Sequence, residues 1–151
     1  MVAIKEVLLP PQSRSGQVRY LAENLSGGTW AAATPPLPAA ATTTRKPGPQ
    51  QDSTALDSVT CQAADSCVAV GTYTAGSGPV DGTIETLSGR SWTAAAAPLP
   101  RGAATTGQDA YFRRVVCPAP GNCVAVGGYA HNAGQDTIEL ALIETATDKH
   151  G

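Results

Sequence analysis

Large side chains are scarce in this sequence: its 151 residues include one Phe, one Met, two Trp and four Tyr. Leu, Ile, Val and Phe together come to 26 residues, below the roughly 20 % under which disorder becomes a serious reading. The 42 % hydrophobic share is inflated by alanine. Charge is scarce as well, with a formal net charge of −2. Disordered chains combine low hydrophobicity with high net charge, so the second scarcity offsets the first. The composition implies thin, ordered strands joined by long polar loops, with room for a disordered part.

Other absences exclude functions. The 10 Lys and Arg residues form no cluster, so there is no electrostatic footprint for nucleic acid. No apolar run approaches the ~18 residues of a membrane span. The start, "MVAIKEVLLPPQ", is interrupted by Lys5 and Glu6 and lacks the basic region and apolar core of a signal peptide. No Gly-x-Ser-x-Gly elbow, phosphate-cradling Gly-rich loop or His-x-x-x-His pair occurs, and His131 and His150 stand in no metal or nucleophile pattern. No cofactor is implied.

What is present repeats. "CQAADSCVAVGTY" from Cys61 returns as "CPAPGNCVAVGGY" from Cys117, and "ENLSGGTWAAATPPLP" (Glu23–Pro38) returns as "ETLSGRSWTAAAAPLP" (Glu85–Pro100). Repeats of this period mark solenoids and propellers. One full unit reads as four short strands. The first is "LDSVTC", in which Val59 and Cys61 alternate with Ser58 and Thr60. The second is "CVAVGTY", ended at Gly71. Ile84 to Ser88 and Trp92 to Ala96 supply the others. Gly, Ser, Asp and Pro punctuate between them. The fold expected is all-β: about three four-stranded antiparallel β-propeller blades, the first and last incomplete, with three, four and three strands. The divisions are an incomplete blade over 1–34, a Pro/Ala/Thr-rich loop over 35–55, a complete blade over 56–97, a loop over 98–110, an incomplete blade over 111–147 and a frayed end over 148–151.

The units resemble those of actinobacterial secreted Cys/Trp-repeat proteins, which read Leu-x-x-Val-x-Cys-Pro, then Cys-x-Ala-Val-Gly-x-Tyr, then a Glu strand before Gly-x-x-Trp. The resemblance covers nearly the whole chain and implies an exported propeller. The "GGTW" and "GRSW" turns also resemble the Asp-box of sialidase-like propellers. Leu25 and Leu87 replace its Asp, so the sialidase associations do not carry over.

The repeated residues have competing readings. Cys61 and Cys67 flank a five-residue loop in the hairpin reading, as do Cys117 and Cys123. Facing residues of an antiparallel pair lie within disulfide range, and closing so short a loop stabilises by roughly 2 kcal/mol. The rival is a four-cysteine zinc site, which usually has closer spacing. Disulfides mean an oxidising compartment, so an extracellular location is expected and the missing signal peptide suggests a fragment or a mis-set start. Trp30 and Trp92 could stack on a sugar or pack between blades. Glu23, Glu85 and Glu144 could be acid/base groups or hydrogen-bond acceptors for neighbouring turns. The loops beginning at Tyr73 and at Tyr129, the latter with His131, differ between units, and varied loops on a repeated frame are where binding resides.

The function expected is a non-catalytic propeller module that binds a glycan or a protein partner through its loops. The alternatives are a glycoside hydrolase, for which no non-repeating cluster of acids and bases is visible, or a truncated fragment without activity. Self-association that closes the ring is also expected, because ring closure removes exposed strand edges.

Overall fold

The computed structural model of the chain describes residues 2–8, 18–26, 29–34, 36–39, 53–74, 78–104, 109–133 and 136–146; at 2–8, 18–26, 30 and 133 it describes the backbone alone. The described residues contain ten strands: β1 (Val2–Leu8), β2 (Val18–Ser26), β3 (Thr29–Ala33), β4 (Ser53–Ala63), β5 (Ser66–Thr74), β6 (Val80–Ser88), β7 (Ser91–Ala96), β8 (Ala110–Ala119), β9 (Asn122–Ala133) and β10 (Asp136–Ala146). They form three antiparallel sheets, β1-β2-β3, β4-β5-β6-β7 and β8-β9-β10. None of the sheets closes on itself. No helix among the described residues is long and apolar enough to cross a membrane.

The sequence repeat is a repeat of register. Glu85 in β6 faces Ala69 and Ala94. Glu23 in β2 faces Ala3 and Ala32, and Glu144 in β10 faces Ala125. Leu25 faces Trp30 as Leu87 faces Trp92. "MVAI" therefore takes the place of "CVAV".

The strands run longer than their sequence signals. β5 passes through Gly71 to Thr74, and β4 starts at Ser53, inside the segment read as loop. The reason is a bulge. The register of β4 slips at Asp57, between Leu56 and Ser58, and that of β8 slips at Arg113, between Phe112 and Arg114. An extra residue shifts the two-residue alternation by one, so the apolar Phe112 and Val115 come to one face despite being three apart. The bulged backbone crowds the partner strand. A Cβ on Gly71 would lie 1.9 Å from the Ala55 carbonyl oxygen, and one on Gly127 would lie 1.8 Å from that of Tyr111. The glycine that seemed to end the strand lets it continue past the bulge.

The sheets then stack. Phe112, Val115, Ala125, Tyr129 and Leu142 of the third sheet form the main core with Val70 of the second, and Val68 and Ile84 pack against it. We call the third sheet's side of this contact its front and the second sheet's side its back. Burying each such side chain contributes about 1.5–3 kcal/mol. Polar contacts tie the first strands of the two sheets together. The Val115 amide donates to Ser58 Oγ at 3.2 Å, and Gln62 Nε2 donates to the Ala119 carbonyl at 2.6 Å. β1 and β2 approach the second sheet at β4.

The cysteines pair locally. Cys61 and Cys67 are bonded at 2.11 Å, Cys117 and Cys123 at 1.99 Å, and no cysteine is free. The zinc alternative is thereby overturned, since all four sulfurs are consumed. The connecting loops are shorter than five residues, because the strands continue past the bridges to the two-residue turns Ala64-Asp65 and Pro120-Gly121.

Two predictions follow from this packing. Gly71→Ala or Gly127→Ala should lower the unfolding free energy by at least about 1–3 kcal/mol, because the added methyl meets rigid backbone. Urea denaturation measures this, and an unchanged midpoint would contradict the close approach. Reduction should cost roughly 2 kcal/mol per bridge, as suits loops whose ends are six residues apart. Peptide mapping without reductant should recover only the two local links.

Candidate functional site at the end of the third sheet

The aromatic residues nominated from sequence divide by burial. Tyr73 is 6 % exposed and packs with Leu37 and Ala96. Burial raises its pKa, helped by the charge and hydrogen bond of Asp81, its partner across the strands. Tyr129 is 8 % exposed and belongs to the main core. Each ring belongs to its strand's inward row and not to the following loop. Trp92 is half-buried against Cys67, Leu87 and Val59 of its own sheet. Its Nε1 finds no acceptor among the described residues. The side chains of Trp30 and Glu23 lie outside what is described.

His131 is half-buried at the end of β9. Its ring stands edge-on to Tyr129 with centroids 6.4 Å apart, and it covers Gly102, where a Cβ would lie 2.7 Å from Cε1. The connection from β7 to β8 is held here by the Ala103–His131 bridge and by the Ala104 amide, which donates to the Ala130 carbonyl at 2.8 Å. His131 Nδ1 has no partner among the described residues.

The glutamates are not equivalent in environment. Glu85 is fully buried. Thr83 Oγ1 donates to its Oε1 at 3.4 Å, while Oε2 has no partner among the described residues. Thr83, two residues earlier on the same strand, supplies its one hydrogen bond among the described residues. Burial pushes its pKa up to about 7, against the smaller, opposite effect of Thr83. Glu144 is half-buried and borders a cavity of about 140 Å³ between the second and third sheets.

The structure brings together a cluster that the repeat analysis passed over. The Tyr111 hydroxyl donates to Glu139 Oε1. This bond is the main reason that the phenol's pKa is raised. The pair lies directly over Gly128, where a Cβ would be 2.8 Å from the phenol oxygen and 2.9 Å from the carboxylate. The Arg113 guanidinium stands over the Tyr111 ring, 4.5 Å from its centroid. Its Nη1 also lies 3.6 Å from Asp57 Oδ1 of the second sheet. Asp57 and Arg113 are the residues at equivalent bulges of β4 and β8, so equivalent positions carry opposite charges and meet. Asp109, Ala130, Thr137, Ile138 and the sequence-nominated Tyr129 complete an open pocket of about 240 Å³ beside Tyr111 and Glu139. Carboxylate oxygens, a phenol and an aromatic face suit a ligand rich in hydroxyl groups. Among the described residues no three His, Cys, Asp or Glu side chains gather as a metal site.

The chain matches no known protein family, no curated protein and no solved structure.

The signal for this cluster was present as a departure from the repeat. The register gives Tyr111 the place of Ala55 and Glu139 the place of Val80. Two polar groups thus replace two apolar residues on one frame.

The buried Glu85 sets a pH dependence. Its folded pKa is raised above the unfolded value, so the fold favours the protonated acid. Stability is therefore greatest below the model-peptide value of 4.5 and falls as the pH rises to about 7, on the order of 3 kcal/mol in all. Glu85→Gln should flatten the melting temperature across that window. An unchanged slope in the variant would remove Glu85 as its source.

Proposed function

We propose that the chain is a non-catalytic extracellular repeat module whose three sheets are blades of a β-propeller, and that it binds a glycan at the Tyr111–Glu139 pocket. The common register of Glu23, Glu85 and Glu144 supports the blade reading, as does the approach of the first strand of one sheet, β8, to that of the preceding one, β4. The two local disulfides support an oxidising, extracellular setting. Resemblance to the secreted Cys/Trp-repeat proteins agrees with both. The observation that carries the binding reading is the Tyr111–Glu139 hydrogen bond, made by residues that the second sheet does not repeat. Propeller-type frames vary the residues that bind and keep those that pack.

One feature favours a glycoside hydrolase as the second reading. A phenol hydrogen-bonded to a carboxylate is an arrangement that could deliver a nucleophile, the carboxylate accepting its proton. Against this, the Tyr111 pKa is raised and not lowered, and the pair is open to solvent. Such a pair orients a hydroxyl better than it activates one.

A glycan array beside a panel of chromogenic glycosides tests both. The wild-type chain should bind one class of glycan and hydrolyse none. Tyr111→Phe removes the donor, and Gly128→Ala pushes the pair aside through its flexible ends. Both should lose at least ~10-fold in affinity, as expected for a lost hydrogen bond worth about 1.5 kcal/mol, while melting as the wild type does. Undiminished binding by both variants, or wild-type binding to no glycan, would refute the site.

A further inference from the structure

The valine-bearing back of the second sheet is covered incompletely. Phe112, Tyr129 and Leu142 of the third sheet's front belong to the core that closes over part of it. The third sheet's own back stays open, with Val126 41 % exposed and Ile143 64 % exposed. Beyond the closed part the two sheets leave the cavity of about 140 Å³ that Glu144 borders. Val68, Val70 and Ile84 line it from the second sheet, and Val115 and Ala125 from the third. Ala146 at the end of β10 lines it too and is exposed, so the cavity opens to solvent there.

The register explains the gap. Ala146 faces Cys123 as Leu87 faces Cys67. Leu87 is buried and packs with Cys67, Val59 and Trp92. The matching place on the third sheet's front has a methyl group instead of an isobutyl group. Among the described residues no strand lies beyond β10 to bring a tryptophan. The glutamate of the repeat remains. Glu85 is fully buried, whereas Glu144 is half-buried at the edge of the cavity, and nothing among the described residues pairs with its carboxylate.

Size, walls and charge together select an occupant. An aliphatic cavity of roughly 150 Å³ takes up benzene. A carboxylate at the edge of an apolar space favours a cation, because a charge leaving water must be paired. We propose that the cavity binds a small arylalkyl ammonium ion, with its ring between the two sheets and its ammonium donating to the Glu144 carboxylate. An anion of the same shape would meet a like charge, and a glycan has too little apolar surface for these walls. The site shares no residue with the Tyr111–Glu139 pocket. It depends on neither the blade reading nor the glycan reading.

NMR titration of the full chain at neutral pH with benzylamine, benzyl alcohol and benzoate tests this. Benzylamine should shift the amides of Ile84, Ala125 and Ala146, and benzoate should not bind. Benzylamine should bind on the order of 10-fold more tightly than benzyl alcohol, through its charge-assisted hydrogen bond. Glu144→Gln keeps the shape of the side chain and removes its charge, so it should lose that preference and still take up benzyl alcohol. Ala146→Leu restores the side chain of the second sheet at an exposed position. It should weaken both ligands on the order of 10-fold by occupying their space. The proposal would be overturned by a wild type that binds none of the three, by benzoate binding as well as benzylamine, by a preference for the amine that survives Glu144→Gln, or by undiminished binding to Ala146→Leu.

Discussion

Phe112 is the only phenylalanine in the chain. It is fully buried, and a Cβ on Gly82 of the second sheet would lie 3.1 Å from both its ring and the Ala97 methyl. The stacking of the third sheet on the second depends on this contact. With so few large side chains, one ring must fill the space between two sheets, and small residues must stand opposite to admit it. The ring reaches that place because β8 bulges at Arg113. The bulge in turn requires glycine at position 127, where the facing strand passes too close for any side chain.

The thin core also explains the local bridges. A buried aromatic or branched aliphatic contributes about 1.5–3 kcal/mol, and a short disulfide loop stabilises by roughly 2 kcal/mol. The two are of the same size, so each bridge stands in for one missing large side chain. Gln62, Ser58 and Asp57 then link β4 to the third sheet along the length of β8. The surface pair Asp57–Arg113 is worth little to stability. Its effect is positional, since the same guanidinium lies over the Tyr111 ring.

The frame and the site follow opposite rules. Positions that pack are repeated between units: the Val-Ala-Val-Gly strand, the glutamate facing an alanine, the leucine facing a tryptophan. Glu85 shows that a repeated position is not thereby a favourable one, because its buried carboxyl has a single weak hydrogen bond among the described residues. The Tyr111–Glu139 pair obeys the other rule, occupying positions where the second unit has alanine and valine. A surface of this kind costs the frame nothing, and its chemistry is free to differ from sheet to sheet.

The sequence by itself determined the all-β class, the three, four and three strands of the described sheets, the two local cysteine pairs and the kinship of the units. Each depends on neighbours close along the chain: alternation, turn residues and a six-residue cysteine spacing. It misread Gly71 as a strand end and Tyr73 and Tyr129 as loop residues, because a bulge shifts the alternation by one and only the partner strand reveals it. It also passed over Asp109, Tyr111 and Glu139. Tyr111 and Glu139 lie 28 positions apart, on strands that are not neighbours, and they meet only because Gly128 on the strand between them leaves room. Tertiary structure alone decided that meeting, and it alone showed that one valine-bearing back is covered while its twin is exposed. Proximity across a sheet is set by register and stacking, which no local pattern of residues encodes.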